Sequence, residues 1–425
     1  MPKSVFSLLL ALLFSLTSRA GVTLNSQCTK NSVGGLTEGL NINTPYTIAS
    51  VSKVFTTHWA INRLGPQYRF ATKVHIASVG INIFDVHMQG SLFPYFDKDM
   101  YQFLVGELNK LGIKQIRNLT YDESFLYSTD VRYNALLAHG NDDQNIIQIM
   151  KDLRHDTLTL NSDLAALNAK ALDVEKLKLP DSLNLSIRDI HFLSAIDFFP
   201  TSDTHSFSLK SSELFRNLKE MNRNSHNFAA DKIYKKLSEK ENYRDFIETR
   251  LVNVRPDEIN LYNGSGYPLV LNSNKVYNEA SCAAVLEMMA DLRILMLSAG
   301  LDFKDVLPVA GKDNSADGDS SVTKIYGSVQ TSGVLIAKTG SVIDTIALAG
   351  LIMTENENTF FQTSFKVDAN PEDRVMAYNN IKSWLANELI KDKKKSELDQ
   401  YQPKIFLPFD GRSGLQPIDS FRLLN

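Results

Sequence analysis

The sequence predicts a mixed α/β fold, and three observations lead to that class. Short β-like runs alternate with amphipathic helical periods along most of the chain. Two neighbouring β-like runs, residues 333–337 and 343–353, precede a long helical stretch at 371–389. The composition is that of a globular protein, with 43% hydrophobic and 22% charged residues. A chain of 425 residues can bury a large core, and its length suggests two or three domains.

Residues 1–20 have the pattern of a signal peptide. Lys3 precedes an apolar run over residues 5–16, and a small-x-small cleavage site ends at Ala20. The run is shorter than a membrane-spanning helix requires, so we expect a mature protein without an integral membrane segment, in the periplasm or secreted. Removal of the two cations of this segment would change the formal charge from −3 to −5. No strong basic field would remain for nucleic acid.

The chain has two cysteines, Cys28 and Cys282. Export would permit a disulfide between them, but the sequence does not decide whether they pair. The histidines are scattered and show no zinc pattern such as H-E-x-x-H. We therefore expect no metal in this protein.

The chain from about residue 67 to 190 is predicted to form a separate α/β unit. We expect strands at 73–78, 83–88 and 113–120 and helices at 98–111, 144–153 and 162–177. Gly112 would end the first of these helices. Beyond this unit we expect a strand within 190–199, a turn at 262–266, a Gly/Asp/Ser-rich loop at 310–321, and helices at 212–221, 227–237 and 281–299. After the helix at 371–389, the tail contains a solvated run of lysines and an extended strap.

The first candidate motif is Ser50-x-x-Lys53, within YTIASVSKVFTTHWAINRL at residues 46–64. Residues three apart are neighbours on a helix surface, so the spacing places a nucleophile beside a base. An apolar band that includes Phe55 and Trp59 would hold this helix in the core. The positive end of the helix dipole disfavours a charged lysine and favours an oxyanion nearby. Alone, the pattern also fits an ordinary amphipathic helix.

Two further candidate motifs follow Ser50-x-x-Lys53 along the chain. Ser225-His226-Asn227 lies at a loop-to-helix junction, where a plain N-cap would also explain it. Lys338-Thr339-Gly340, followed by Ser341, would put a cation, a hydroxyl and a glycine on a strand edge, where the glycine lets a substrate backbone come close. Ser-x-x-Lys, Ser-x-Asn and Lys-Thr-Gly in this order are typical of serine β-lactamases and penicillin-binding proteins.

Two other segments repeat parts of these motifs. Residues 321–324 are also Ser-x-x-Lys, but Gly327 would interrupt a helix there and the segment lies only 14 residues before Lys338. Residues 182–184 are also Ser-x-Asn, but no helix is expected to follow them. We reject both.

At this point the chain resembles the class C, low-molecular-mass penicillin-binding proteins, which are D-alanyl-D-alanine carboxypeptidases and endopeptidases of bacterial peptidoglycan. Beyond the three motifs, the similar segments are residues 221–231, Asn263-Gly-Ser-Gly266, Leu307-Pro-Val-Ala-Gly311, Gly112-Ile-Lys and residues 121–125. The resemblance covers about residues 46–389. The chain departs from the family pattern at His226, where a carboxylate or amide is usual, and at Asn263, where aspartate is usual.

The resemblance implies a penicillin-recognising serine D,D-peptidase (β-lactamase/transpeptidase-like) fold: a central antiparallel sheet flanked by helices, with a smaller α/β domain inserted between the first two motifs. We expect a signal peptide at 1–20, the peptidase domain at 21–70 and 190–390, the insert at 71–189 and an extension at 391–425. The interval between the first two motifs is short for the family and indicates one inserted domain. The 133–180 stretch and the tail have no counterpart.

The resemblance also implies the chemistry. Ser50 would attack the carbonyl of a penultimate D-Ala, with Lys53 as the base, made neutral by burial and by the neighbouring cation of Lys338. Ser225 would relay a proton to the leaving amine, and the backbone N–H groups of Ser50 and Ser341 would form the oxyanion hole. Asn227 would bind the peptide amide.

In the third motif, Lys338, Thr339 and Ser341 would bind the terminal carboxylate, next to Gly340. The expected partners are peptidoglycan stem peptides and β-lactams as covalent inhibitors, and no metal or organic cofactor is expected. The short interval favours endopeptidase activity on cross-linked wall alongside carboxypeptidase activity. A serine β-lactamase or esterase of the same fold, or a catalytically idle wall-binding protein, remains open, although no Glu-x-x-Leu-Asn follows Ser225 to position a deacylating water.

Overall fold

The structure is a computed structural model that describes residues 21–128, 160–315, 318–355, 358–391, 398 and 400–418. In these residues the strands are β1 (Val22–Asn31), β2 (Glu38–Leu40), β3 (Tyr46–Thr47), β4 (Ala71–Gly80), β5 (Ile83–Gln89), β6 (Gln115–Tyr121), β7 (Ser186–Phe192), β8 (Thr204–Lys210), β9 (Ile259–Asn260), β10 (Leu269–Leu271), β11 (Asn274–Val276), β12 (Glu279–Ala280), β13 (Asn314–Ser315), β14 (Gly318–Asp319), β15 (Leu335–Val342), β16 (Thr345–Met353), β17 (Asn358–Val367) and β18 (Gln416–Pro417). The α-helices are α1 (Ser52–Leu64), α2 (Lys98–Lys110), α3 (Leu164–Glu175), α4 (Leu214–Asn224), α5 (Asn227–Ser238), α6 (Tyr243–Arg250), α7 (Cys282–Ser298), α8 (Ser321–Tyr326) and α9 (Pro371–Lys391). Single 3-10 turns are formed by Ala49–Val51, Pro256–Glu258 and Phe303–Asp305.

A five-stranded antiparallel sheet forms the centre of one half of the protein. Its strand order is β15-β16-β17-β1-β2. Every residue of β16 is buried, because helices cover both faces of the sheet. Ala347, Ala349 and Leu351 belong to the core that contains α7, whereas Ile346 and Leu348 pack with α9. This alternation follows from the period of two along a strand, and the expected antiparallel sheet flanked by helices is confirmed.

A second sheet has the strand order β18-β8-β4-β5-β6-β7. Its β5–β6 and β6–β7 pairs are parallel, and α2 and α3 lie in the crossover connections that parallel pairing requires. The sheet extends beyond the predicted insert of residues 71–189. β7 crosses the boundary at residue 189, β8 pairs antiparallel with β4, and β18 comes from the tail. The division into domains stays a prediction.

Most predicted elements lie within a few residues of observed ones. Strands β4, β5 and β6 and helices α2, α3, α4, α5, α7 and α9 are where the periodicity places them. β8 was not predicted, although its THSFSLK sequence partly alternates between polar and apolar side chains. β15 runs through the Lys-Thr-Gly motif, beyond the expected end of that strand at residue 337. The expected signal peptide and the helix at 144–153 lie outside the described residues. No helix in the described parts of the chain has the length and apolar character that a bilayer crossing requires.

Helix α1 lies in the half of the protein that contains the five-stranded sheet, and it is buried from Ser52 to Ile61. Its predicted apolar band includes Phe55 and Trp59, both fully buried. It packs against α7, α5 and α4, so its polar side chains are enclosed as well. Gly65 ends the helix with a φ of 80°.

The two cysteines form a disulfide, which the sequence left open. Cys28 lies on β1 and Cys282 is the first residue of α7, with 6.1 Å between their Cα atoms. The bond therefore ties the five-stranded sheet to the helix that packs on it.

The C-terminal segment over residues 400–418 packs against the rest of the protein. Arg69 makes a two-pronged ion pair with Asp410, at 2.9 and 2.7 Å. Phe409 is fully buried and stacks on Phe103 of α2 with 4.4 Å between ring centroids. Further along, β18 pairs with β8. The C-terminal segment is thus joined to the second sheet through β18 and to α2 through Phe409.

Candidate active site

Ser50 lies in the 3-10 turn that leads directly into α1. Its neighbour Ala49 has a φ of 47°, a left-handed conformation that is costly for a residue with a Cβ. Ser52 supports this conformation, because its Oγ donates a hydrogen bond of 2.6 Å to the Ala49 carbonyl. Gly266 packs on the same carbonyl, and a Cβ at this position would lie 1.9 Å from the oxygen. Only glycine at position 266 lets the turn that carries Ser50 keep its place.

Lys53 is fully buried, and its Nζ is surrounded by three oxygen atoms. The distances from Nζ are 2.7 Å to Asn227 Oδ1, 2.8 Å to the Ser265 carbonyl oxygen and 2.9 Å to Ser50 Oγ. A neutral amine has two N–H groups and one lone pair. It can donate to the amide and carbonyl oxygens, which carry no proton, and accept the hydroxyl proton of Ser50. The three oxygens thus suit the neutral amine as well as the ammonium, which donates to all three of them.

The pKa of Lys53 allows the neutral amine to form near neutral pH. Burial lowers it from 10.5 to about 7, while the carboxylate of Asp231 acts in the opposite direction. The expectation that the cation of Lys338 lowers this pKa is corrected by the structure. Burial also lowers the pKa of Lys338 well below its ordinary value, and Lys53 lowers it further. Desolvation is therefore the main cause that makes Lys53 a base near neutral pH.

The second motif connects the two buried lysines. Ser225 ends α4 in a left-handed conformation, with φ of 54° and ψ of 42°, and Asn227 is the first residue of α5. Lys338 Nζ donates to Ser225 Oγ at 2.9 Å, while Asn227 Oδ1 accepts from Lys53 as described. The tight junction between the helices directs the side chains of residues 225 and 227 to different lysines.

The third motif lies on β15, at the edge of the five-stranded sheet. Ala337 N–H donates to the Pro308 carbonyl, and the Thr339 carbonyl accepts from Lys338 Nζ at 2.8 Å. Both groups point away from β16, towards the open side of the strand. Because backbone direction alternates along a strand, the N–H of Ser341 has the same direction. The backbone N–H of Ser341 and the buried amine of Lys338 thus lie on the strand that faces the second motif.

Gly340 has a structural role that the sequence did not indicate. A Cβ at this position would lie 2.5 Å from the Ile48 carbonyl oxygen and 3.3 Å from the Cβ of Ala49. The glycine is required because β15 passes against the backbone of the turn before α1. It allows close approach of the protein's own chain, whereas the sequence suggested close approach of a substrate.

Several residues at this site were missed in the sequence. The Ser265 carbonyl accepts from Lys53, Ser321 Oγ lies 2.7 Å from Thr339 Oγ1, and Arg374 of α9 bonds Ser341 Oγ and, at 2.8 Å, the Val342 carbonyl. Ser321 belongs to the Ser-x-x-Lys repeat that we rejected. The stretch does form a short helix, α8, but its Lys324 is exposed. No sequence pattern marked Arg374, which is 33 residues from Ser341 along the chain.

The structure brings all eight predicted residues into one region. Lys53 Nζ bonds Ser50 and Asn227. Lys338 Nζ bonds Ser225 and the Thr339 carbonyl. Gly340 and Ser341 continue the strand that carries Lys338. The residues that the structure describes include no group of three or more His, Cys, Asp or Glu side chains suited to a metal ion.

The fold and this arrangement define a serine D,D-peptidase, in which a buried lysine lies beside a serine at a helix start and a second lysine comes from a sheet edge. The model of the D-Ala-D-Ala carboxypeptidase 3 (S13) family matches residues 40–145 and 195–388, which is most of the chain. The protein therefore belongs to that family, and the sequence-based assignment to low-molecular-mass penicillin-binding proteins is confirmed. No curated protein sequence matches the chain.

Solved structures agree with this assignment. The chain is similar to Bd3459, a predatory peptidoglycan endopeptidase from Bdellovibrio bacteriovorus, with 29% identity and a TM-score of 0.82 over 93% of this chain and 99% of that one. It is also similar to the Bd0816 predatory endopeptidase from the same organism, solved in complex with the immunity protein Bd3460, with 28% identity and a TM-score of 0.81 over 93% and 100%. Penicillin-binding protein 4 from Haemophilus influenzae shares the fold, with 17% identity and a TM-score of 0.58 over 89% and 98%.

Proposed function

We propose that this protein cleaves D-Ala-diamino acid cross-links of peptidoglycan, and also terminal D-Ala-D-Ala, through an acyl-enzyme on Ser50. The observation that carries the proposal is the fully buried Lys53, 2.9 Å from Ser50 Oγ and with a pKa of about 7. A base with a pKa near the working pH is effective in proton transfer. Because peptidoglycan lies outside the cytoplasmic membrane, we place the protein there, in the periplasm or secreted.

In the first step, neutral Lys53 accepts the Ser50 hydroxyl proton while Oγ bonds to the carbonyl carbon of the penultimate D-Ala. The negative charge that develops on the carbonyl oxygen is stabilised by the backbone N–H groups of Ser50 and Ser341. As the C–N bond breaks, Ser225 relays the proton that Lys53 accepted to the leaving amine, so that Lys53 is neutral again and Ser225 keeps its hydroxyl. Water then attacks the ester and releases Ser50 with a shorter peptide.

The other motif residues hold the peptide. Because Asn227 Oδ1 is engaged by Lys53, Asn227 offers the substrate its NH₂ group, which binds a peptide carbonyl. Lys338 and Thr339 face the position of the terminal carboxylate, where an incoming anion favours the charged form of Lys338. Arg374 holds the Ser341 hydroxyl and adds a positive charge at the same end of β15.

The leaving group decides between the two activities. A free D-Ala gives carboxypeptidase activity, and the side-chain amine of a cross-linking diamino acid gives endopeptidase activity. The similarity to Bd3459 and Bd0816, which are endopeptidases by name and align over nearly the whole chain, supports a preference for cross-links. Penicillin-acylated Bd3459 likewise supports acylation by β-lactams.

The main test is intact-mass measurement after incubation with labelled penicillin. The wild type should gain one covalent adduct that persists for minutes, and Ser50→Ala should gain none. Ser182→Ala is the matched control, because this exposed serine belongs to the rejected Ser-x-Asn segment at residues 182–184, and its variant should still be acylated. Rapid penicillin turnover would indicate a β-lactamase, and no adduct on any variant would indicate an idle wall-binding protein.

A second experiment tests the preference. Purified cross-linked dimeric muropeptides and monomeric pentapeptides are incubated separately with wild type and Ser50→Ala, and the products are separated by chromatography. We expect wild type to convert dimers to monomers. Dimers that survive while pentapeptides lose D-Ala would contradict the endopeptidase proposal and leave a carboxypeptidase.

A further inference from the structure

His226 occupies the middle of the second motif and is 2% exposed. Its Nδ1 accepts a hydrogen bond of 3.2 Å from the backbone N–H of Ala229, so the side chain caps the N-terminus of α5. Asparagine and aspartate commonly serve as N-caps in this way. The departure from the family pattern at this position therefore keeps an N-cap acceptor and adds an aromatic ring.

The ring of His226 stacks on Tyr95, with 5.5 Å between centroids and 24° between planes. Tyr95 in turn contacts Phe406 of the C-terminal segment, at 5.0 Å between centroids. Tyr95 is 2% exposed, and within the described chain its hydroxyl has no hydrogen-bond partner. Its contribution therefore comes from the ring. We call these three side chains the aromatic stack.

The C-terminal segment holds Phe406 from both sides. Before it, Tyr401 donates a hydrogen bond of 3.2 Å to Asp313. After it, Phe409 is stacked on α2 and Asp410 is paired with Arg69, as described above. Phe406 thus lies on a segment that is fixed at one end to Asp313 and at the other end to α2 and to Arg69.

The aromatic stack ends at the residue between Ser225 and Asn227, whose side chains bond Lys338 and Lys53 respectively. Because Ser225 and Asn227 are its neighbours in the chain, a shift of His226 would displace both of them and change both hydrogen bonds together. We propose that the C-terminal segment is a positioning element for the second motif, and that it acts through Phe406, Tyr95 and His226. This inference rests on the proposed function, because its readout is acylation of Ser50.

The first experiment compares the rate of penicillin acylation under single-turnover conditions, alongside the melting temperature. Phe406→Ala should lower the acylation rate about 10-fold, because displacement of reacting groups by a fraction of an ångström is costly. Phe406→Leu keeps the apolar bulk without the ring and serves if the alanine variant folds poorly. Tyr95→Phe should acylate like wild type, whereas Tyr95→Leu should be slow.

Phe361→Ala is the control. It removes a fully buried ring of β17 that packs with α9, in the core on the other side of the five-stranded sheet from α7. It should lower the melting temperature, yet acylate at the wild-type rate well below that temperature. If the Phe406 and Phe361 variants slow acylation equally, the segment acts through general stability and the proposal is overturned.

Two variants of His226 separate its contributions. His226→Asn keeps the N-cap acceptor and loses the ring, and adding Phe406→Ala to it should cause little further loss, because both changes interrupt the same stack. His226→Phe keeps the ring and loses the acceptor. If His226→Asn acylates like wild type, or if its effect and that of Phe406→Ala multiply, the proposal fails. If wild type itself forms no adduct at Ser50, the failure lies in the proposed function instead.

Discussion

The pH dependence of acylation depends on the charge state of Lys53, and Asp231→Asn should shift it. Burial sets the pKa of this lysine at about 7, and Asp231 opposes burial by stabilising the ammonium. The Asp231 carboxylate accepts the backbone N–H of Ser265 at 2.8 Å, and an asparagine oxygen can accept the same bond. The substitution therefore removes a charge while it retains this hydrogen bond.

The sign and size follow from the protonation equilibrium. Only neutral Lys53 can accept the Ser50 proton, so the acylation rate should rise with pH and reach half its maximum near pH 7. At pH 5, about 1% of the lysine would be neutral, with a matching loss of rate. Removing the nearby negative charge destabilises the ammonium and lowers the pKa, which moves the half-maximum down by about one pH unit. At pH 5 the variant should then acylate several-fold faster relative to its own maximum.

The assay measures the second-order rate of penicillin adduct formation from pH 5 to 9, with controls for enzyme stability at each pH. Asp181→Asn changes a carboxylate that is 85% exposed and should leave the profile unchanged. A wild-type profile that still rises towards pH 10 would refute the role of burial. A variant half-maximum that moves up or stays in place would refute the role assigned to Asp231.

Three further predictions concern stability and fold. Gly340→Ala should abolish acylation, because its Cβ would lie 2.5 Å from a backbone oxygen of the turn before α1, and penicillin labelling measures the loss. Replacing Cys28 and Cys282 by alanine should lower the free energy of unfolding by up to about 5 kcal/mol on the chain-entropy model, since the cysteines are 254 residues apart, and urea titration with and without reductant measures it. Asp410→Ala should lower the free energy of unfolding by up to about 3 kcal/mol and lower the urea midpoint, because Arg69, 11% exposed, would lose its two-pronged partner and keep only Glu213 and the Ser211 carbonyl.

Each of these has a contrary result. A Gly340→Ala variant that labels at the wild-type rate would mean that β15 can move away from the turn at little cost. If the urea midpoint of the wild type is the same with and without reductant, the Cys28–Cys282 disulfide does not restrict the unfolded chain. An unchanged urea midpoint for Asp410→Ala would show that the ion pair contributes no net stability.

The three motifs and their order could be predicted because each is written in a few adjacent residues. Ser50 and Lys53 share a helical turn, and Ser225 and Asn227 flank a helix start. The apolar band of α1 follows its 3.6-residue period, so the helix could be predicted with them, whereas the burial of its polar side chains could not. β8 was missed because only part of its short sequence alternates.

The electrostatics of the site could not be predicted in the same way. Lys53 meets Asn227 across 174 residues, and Lys338 meets Ser225 across 113. The sequence suggested burial together with a cationic neighbour as the cause of the lowered pKa of Lys53, whereas burial alone is the main cause. The required glycines at 266 and 340, and Arg374, depend in the same way on which segments pass one another.

The sequence alone determined which reactive side chains this protein has, in what order, and on which local elements they lie. The tertiary structure alone decided that both lysines lose water, that the cysteines pair, and that the C-terminal segment reaches the second motif through Tyr95. The physical reason is that local patterns depend on neighbours within a turn or a strand. Burial and long-range contact, by contrast, depend on the path of the whole chain.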